Sequence, residues 1–124
     1  MSPFAFLTRL LGPRPQLDDA QRRRLQRLEA APRLDARPLH AQRFVVLDLE
    51  TSGLNLERDI VLSIGAVLIE DGAIDFGRQF ECTLQRQLPS VTESVLIHGI
   101  APSELARGTA PADALLAFME FAGD

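Results

Sequence analysis

The amino-acid sequence predicts an α/β protein in which an antiparallel three-stranded sheet is followed by helices. Three observations support this prediction. Residues 44–47 are all apolar, residues 60–69 form a second strong apolar stretch ahead of a turn, and after Pro89 the apolar spacing changes from the period of a strand to that of a helix. Helices packed on a sheet are a common way to bury such apolar faces.

The first predicted strand, residues 44–47, has no polar position and is typical of a strand buried on both faces. It runs directly into Asp48, Leu49 and Glu50, after which residues 51–55 predict a turn. Such a strand belongs in the middle of a sheet, yet this chain supplies only one neighbour for it. We therefore expect a further segment, or another molecule, along its free side.

The second and third strands are expected to form a hairpin. Asp71 and Gly72 make an Asp-Gly turn directly after the apolar stretch 60–69. Polar and apolar residues then alternate, which predicts one covered and one solvated face. The apolar members of this row are Ile74, Phe76, Phe80, Cys82 and Leu84. In the second strand, Ser63, Ile64 and Gly65 are interpreted as packing positions, with Gly65 allowing a close backbone approach.

Two helices are predicted in the C-terminal third. Ser90 begins a capping-box pattern, so a helix is expected over residues 90–98, with Gly99 as its stop. Thr109 is expected to cap the second helix. Its apolar residues recur at helical spacing and should face the core: Ala112, Leu115, Leu116, Met119 and Ala122.

The charge distribution divides the chain into a basic leader, residues 1–43, and an acidic body, residues 44–124. The leader carries 9 Arg and 4 acidic residues, and the body carries 4 Arg and 13 acidic residues, so the net −4 is the sum of +5 and −9. Residues 17–31 predict a short amphipathic helix in the leader. That helix could contact nucleic-acid phosphates or a partner protein, but a solvated helix whose leucines pack on the body is the favoured interpretation.

Composition excludes several classes of protein. With 46% apolar and 24% charged residues, the chain is not disordered throughout. The single Cys82 permits no intramolecular disulfide, which suits a reducing compartment. The longest apolar stretch, residues 60–69, is about half the length of a membrane-spanning helix, and the N-terminus lacks the charged start of a signal peptide. We expect a cytoplasmic protein without a membrane anchor.

Asp48 and Glu50 are the candidate functional pair. Residues i and i+2 of a strand point to the same face, about 6.6 Å apart along it, so the two carboxylates lie side by side. Two like charges are costly there unless cations neutralise them, and carboxylate oxygens suit Mg²⁺ or Mn²⁺. Two such ions can activate water for phosphodiester hydrolysis. A strand ending in solvent could also carry two acidic residues, so the pair alone does not decide between these readings.

The residues around this pair resemble a known family. Residues 45–54, Val-Val-Leu-Asp-Leu-Glu-Thr-Ser-Gly-Leu, and residues 59–67 closely resemble the first motif of the DEDD-type 3'–5' exonucleases. This family includes RNase T and the proofreading ε subunit of bacterial DNA polymerase III. Residues 97–100, Ile-His-Gly-Ile, resemble a second family signature. The resemblance covers about residues 43–124 and implies a ribonuclease H-like fold.

The resemblance also implies roles for single residues. Asp48 and Glu50 would hold two Mg²⁺ or Mn²⁺ ions, and Thr51 and Leu54 would border the terminal nucleotide. His98 would lie near that nucleotide, although a His at a helix C-terminus can equally serve the helix dipole. The implied substrate is a single-stranded or frayed 3' end of DNA or RNA. The resemblance leaves open which nucleic acid is used and whether a polymerase or another protein is a partner.

The later carboxylates of the family set and its general-base histidine have no counterpart in residues 1–124. The sequence is therefore expected to represent the front part of an exonuclease domain, truncated and inactive as it stands. Two alternatives are open at this point. One is a non-catalytic fragment or partner-binding module; the other, less favoured, is a haloacid-dehalogenase-like phosphatase, which requires Asp rather than Glu50 as its second acid.

Overall fold

The computed structural model describes residues 16–28, 35–55, 57–88 and 99–123. Helices flank a three-stranded sheet in this part of the chain. In order along the sequence, the elements are α1 (Asp19–Arg27), a 3-10 turn (Leu39–Ala41), β1 (Phe44–Thr51), β2 (Val61–Glu70), β3 (Ala73–Thr83), α2 (Pro102–Ala106) and α3 (Pro111–Gly123). The predicted helix over residues 90–98, including His98, lies outside the described residues.

The sheet has the order β1-β2-β3, and both pairs of neighbours are antiparallel. The hairpin between β2 and β3 turns at Asp71 and Gly72, whose φ angles of 51° and 74° are both positive. Positive φ at both central residues is the geometry of a type I′ turn, whose twist matches that of the flanking strands. The Asp-Gly turn predicted from the sequence is confirmed.

The predicted single apolar row of β3 is wrong at the tip of the hairpin. Ile74 pairs with Ile69, whereas Gln79 pairs with Val67, so β3 carries three more residues than β2 across this stretch. An odd number of extra residues transfers the alternating side chains to the opposite face. As a result Phe76 is 73% exposed and Ile74 also faces solvent, while Phe80 and Cys82 pack against the core.

The core lies between one face of the sheet and α3. Alternate residues of β2 supply the sheet side, and alternate residues of α3 supply the helix side. Phe80 joins the two layers, because its ring centroid lies 5.8 Å from that of Phe118 and 5.6 Å from that of Phe121. The residues of the main cluster are Val61, Ile64, Ala66, Leu84, Ala114 and Phe118. The opposite face of the sheet does not contribute to this core.

β1 lies at an edge of the described sheet and is not buried on both faces as its composition predicted. Its only hydrogen-bonded neighbour among the described strands is β2. Val46 and Leu47 are consequently 48% and 36% exposed. The further segment or second molecule expected along the other side of β1 stays a prediction.

The helix of the leader is shorter than predicted and contacts the body through polar groups. Asp18 caps α1 in a reciprocal pair with Gln21, which explains why the helix begins at Asp19. Arg24 donates two hydrogen bonds to the carboxylate of Glu120 on α3, each 2.8 Å long. Leu25 is 42% exposed, while Leu17 and Leu28, at the two ends of the helix, are half-buried. An arginine on the polar side of the helix thus makes the hydrogen bonds to α3, and the packing of the leucines on the body stays a prediction.

The connection into α3 is a backbone bridge. The backbone N–H of Thr109 donates to the oxygen of Thr83 at 2.8 Å, and the N–H of Gln85 donates to the oxygen of Thr109 at 2.7 Å. α3 begins two residues later at Pro111, so Thr109 extends the sheet and does not cap the helix as predicted. Within the described residues, no helix is long and apolar enough to cross a membrane.

Candidate active site

Asp48 and Glu50 lie on the face of the sheet opposite α3. Asp48 stands beside Gly65 of β2, and Glu50 stands beside Ser63. Leu49, between them, points to the core face and packs there. The strand alternation therefore places the two carboxylates side by side as predicted. Asp48 is exposed, and one of its oxygens accepts a hydrogen bond of 3.1 Å from the backbone N–H of Leu49.

These two carboxylates line an open groove of about 560 Å³, which we call the carboxylate groove. Two further acidic residues line it: Glu81 on β3 and Glu104 on α2. No arginine lines this groove among the residues that the structure describes. Four carboxylates without a cation repel a phosphate, so a polyanion can bind here only if cations accompany it.

Gly65 forms the floor of the groove between Asp48 and Glu81, with which it is in register across the sheet. A β-carbon at this position would meet only the backbone oxygen of Asp48, at 4.0 Å. Close backbone approach is therefore not the reason for a glycine here, contrary to the sequence-based interpretation. Any larger side chain would instead fill the space between the two carboxylates.

Sequence reasoning missed Glu81, Glu104 and the groove-lining role of Ser63. Ser63 had been interpreted as packing, yet only Ile64 of that pair lies in the core. Glu81 could have been found from its place on the solvated face of β3, given the correct register. The position of Glu104 depends on how α2 returns to the sheet, which no local pattern indicates.

The loop after β1 is organised by Asp59. Its carboxylate accepts a hydrogen bond from the hydroxyl of Ser52 at 3.1 Å and one from the backbone N–H of Asn55 at 2.8 Å. The hydroxyl of Thr51 donates to the backbone oxygen of Gly53 at 2.7 Å. These bonds hold the loop next to Glu50.

Leu54 is 98% exposed at the tip of this loop, where its apolar side chain contacts almost nothing of the protein. Exposing a whole leucine side chain forgoes about 1.5–3 kcal/mol of burial energy. Thr51 and Leu54 thus lie next to the end of β1 that carries the carboxylates, and their contact with a terminal nucleotide stays a prediction. His98 falls outside the described residues, so its predicted place near the nucleotide stays a prediction.

Asp48 and Glu50 can bind a hard divalent cation only together with further ligands. Both offer carboxylate oxygens that line the groove, and Mg²⁺ is commonly held by one or two carboxylates together with water and substrate phosphates. Glu81 lies two strand spacings from Asp48, about 10 Å, which is too far for one shared ion. In the described part of the chain, no three His, Cys, Asp or Glu residues lie close enough to bind a metal.

Comparison with known families identifies the domain. Residues 45–124 match the RNase T family model, described as exonuclease, and this match covers more than half of the chain. The chain belongs to this exonuclease family. The resemblance inferred from the motifs around Asp48 and Glu50 is thereby confirmed.

A solved structure agrees on the fold. The chain superposes on the crystal structure of cell-death related nuclease 4 (CRN-4) with a TM-score of 0.54 and 15% sequence identity. The match covers 64% of this chain and 29% of the nuclease, so the chain spans about three tenths of that protein's length. The predicted fold class, three antiparallel strands followed by helices in a ribonuclease H-like exonuclease fold, is confirmed. A comparison with curated protein sequences gives no match.

Proposed function

We propose that this domain hydrolyses the 3'-terminal phosphodiester of a single-stranded or frayed nucleic acid and releases nucleoside 5'-monophosphates. The observation that supports the proposal is the pair Asp48 and Glu50, side by side in a groove where the described residues supply carboxylates and no cation. Such a groove accepts a phosphodiester only together with divalent cations. The proposed site of action is the cytoplasm.

In the proposed mechanism, Asp48 and Glu50 would hold two Mg²⁺ or Mn²⁺ ions. When bound, such ions supply a water nucleophile at neutral pH and stabilise the charge on the leaving oxygen. The chain's own residues position the substrate. Thr51 and Leu54 would border the terminal nucleotide, and the hydrogen bonds of Asp59 to Ser52 and Asn55 hold the loop that carries Leu54. His98 is proposed to lie beside the same nucleotide.

One observation favours the non-catalytic alternative. Asp48 and Glu50 have no third metal-binding residue nearby in the described part of the chain. A partner-binding module would also make use of the free edge of β1. Metal binding and turnover must therefore be measured separately.

The test measures both properties on the same protein. Mn²⁺ binding is followed by paramagnetic relaxation, and release of mononucleotides is followed with a 3'-labelled single strand of DNA or RNA. Asp48→Ala should abolish Mn²⁺ binding and reduce release by more than the roughly 10- to 100-fold typical of losing an outer-shell partner of a metal site. Asp19→Ala, an equal charge change on the exposed surface of α1, should change neither.

The outcomes separate the two functions. Release of mononucleotides that requires both Mn²⁺ and Asp48 supports the exonuclease. Mn²⁺ binding that depends on Asp48, without release, supports the non-catalytic alternative. Mn²⁺ binding that is unchanged in Asp48→Ala contradicts the assignment of the carboxylate pair.

A further inference from the structure

The carboxylate groove continues beyond β3. A second, shallower depression of about 390 Å³, which we call the outer groove, lies on the far side of this strand. It shares Glu81, Thr83 and Glu104 with the carboxylate groove, so the two form one continuous surface. Its other lining residues are Cys82, Arg107, Gly108 and Thr109. A ligand bound at Asp48 can therefore follow the sheet face towards α2.

Arg107 is the one basic side chain that lines either groove within the described residues. Its Nε donates to the backbone oxygen of Ser103 at 3.1 Å, and no carboxylate among the described residues forms an ion pair with it. By contrast, Arg24, Arg43 and Arg78 each pair with an acidic residue. The guanidinium of Arg107 is exposed and keeps donors for an anion.

The backbone fixes the segment that directly follows Arg107 relative to the carboxylate pair. Glu50, Ser63 and Thr83 are in register across the three strands, and Thr109 forms a parallel bridge with Leu84, the residue after Thr83. Three strand spacings, about 14 Å, therefore separate β1 at Glu50 from Thr109, which lies two residues after Arg107. Gly108 packs against the backbone of Leu84, so the segment after Arg107 is fixed against the sheet.

We propose that Arg107 binds a backbone phosphate of the nucleic-acid strand whose 3' end lies at Asp48 and Glu50. This inference rests on the proposed function and adds the length and direction of the bound strand. At about 3.4 Å per stacked nucleotide, 14 Å corresponds to roughly four nucleotides. The strand crosses from β1 towards α2, and Glu81 and Glu104, which lie between, keep its phosphates away from the middle of the path.

Oligonucleotide length provides the test. Binding of thymidine 5'-monophosphate and of a hexathymidylate is measured by isothermal titration calorimetry, with Ca²⁺ in place of Mg²⁺ to slow hydrolysis. Arg107→Gln should weaken binding of the hexamer about fivefold and leave binding of the mononucleotide unchanged, because only the hexamer reaches this residue. The slope of log K against log salt concentration should fall by about 0.7, the contribution of one phosphate contact in a single strand.

Arg23→Gln is the matched control. Arg23 is exposed on α1, which contacts α3 on the other side of the sheet, and it forms no ion pair with a described residue. The control changes the net charge equally and should leave the affinity for both ligands as in the wild type. Equal unfolding temperatures of the two variants show that folding is intact.

Three other results would contradict either the phosphate contact, the predicted distance or the proposed function. Equal hexamer affinity and salt slope in Arg107→Gln and Arg23→Gln overturn the phosphate contact, while mononucleotide binding that depends on Asp48 preserves the proposed function. Equal weakening of both ligands by Arg107→Gln overturns the predicted distance and therefore the inference. A folded wild-type chain that binds neither ligand overturns the proposed function and this inference together.

Discussion

Gly108→Ala tests how the outer groove is held against the sheet. A β-carbon on residue 108 would lie 2.5 Å from the carbonyl carbon of Leu84, 2.6 Å from the nitrogen of Gln85 and 2.7 Å from the oxygen of Leu84. All three are backbone atoms, so no side-chain rotation can relieve the overlap. Ordinary contact begins near 3.4 Å, which requires residue 108 to move by nearly 1 Å.

The energetic cost follows from this movement. Overpacking of a close contact typically costs about 1–3 kcal/mol. The movement also strains the two hydrogen bonds that join Thr109 to Thr83 and Gln85, and each such bond contributes a net of about 1 kcal/mol. Adding the overpacking to a partial loss of the two hydrogen bonds, we expect Gly108→Ala to lower the free energy of unfolding by about 2–4 kcal/mol.

Urea unfolding followed by circular dichroism measures this loss. Gly65→Ala is the matched control, because a β-carbon there meets only the oxygen of Asp48 at 4.0 Å. We expect its stability to stay within about 0.5 kcal/mol of the wild type, with the same dependence on urea. If Gly108→Ala also stays within that range, residue 108 is not held by the contact that the structure describes, and the placement of Arg107 loses its support.

Two further predictions concern the register of β3 and the docking of α1. Phe76→Ala should change the free energy of unfolding by less than about 0.5 kcal/mol, because Phe76 is exposed. Phe80→Ala should lower it by about 3 kcal/mol in the same assay, because Phe80 packs against Phe118. Equal losses in the two variants would contradict the register shift. Hydrogen bonding to Arg24 lowers the pKa of Glu120 from its usual 4.5, so the pair stabilises the fold above that pH and loses its effect as the pH falls through the lowered pKa. Glu120→Gln should therefore lower the free energy of unfolding at pH 7, by less than about 1 kcal/mol because the Glu120 side chain is 41% exposed. This difference from the wild type should shrink at pH 3. A difference that grows on acidification would contradict the ion pair.

The elements of the fold were readable from local patterns. Alternation along β1 places Asp48 and Glu50 on one face whatever surrounds them, because side chains of a strand alternate by geometry. The turn at Asp71 and Gly72 is equally local, since few residue pairs tolerate positive φ at both positions. The motif around the carboxylates was specific enough to indicate the exonuclease family that residues 45–124 match.

The contacts between elements were not readable in this way. The three-residue shift between β2 and β3, which exposes Phe76, depends on the pairing of two strands and not on the alternation within one. The docking of α1 by Arg24 was missed because the apolar stripe of the helix suggested that leucines would make the contact. Thr109 was mistaken for a helix cap because its bridge partner, Leu84, is distant in sequence.

The sequence by itself determined the strand that carries Asp48 and Glu50, the side on which both carboxylates lie and the family to which the chain belongs. Only the tertiary structure decided what shares that side: Gly65 as an open floor, Glu81 and Glu104 as further acidic neighbours, and Arg107 as the cation beyond them. The physical reason is that alternation and turn geometry are properties of neighbouring residues. The charge pattern of a groove is instead set by strand register and by the return of α2 to the sheet.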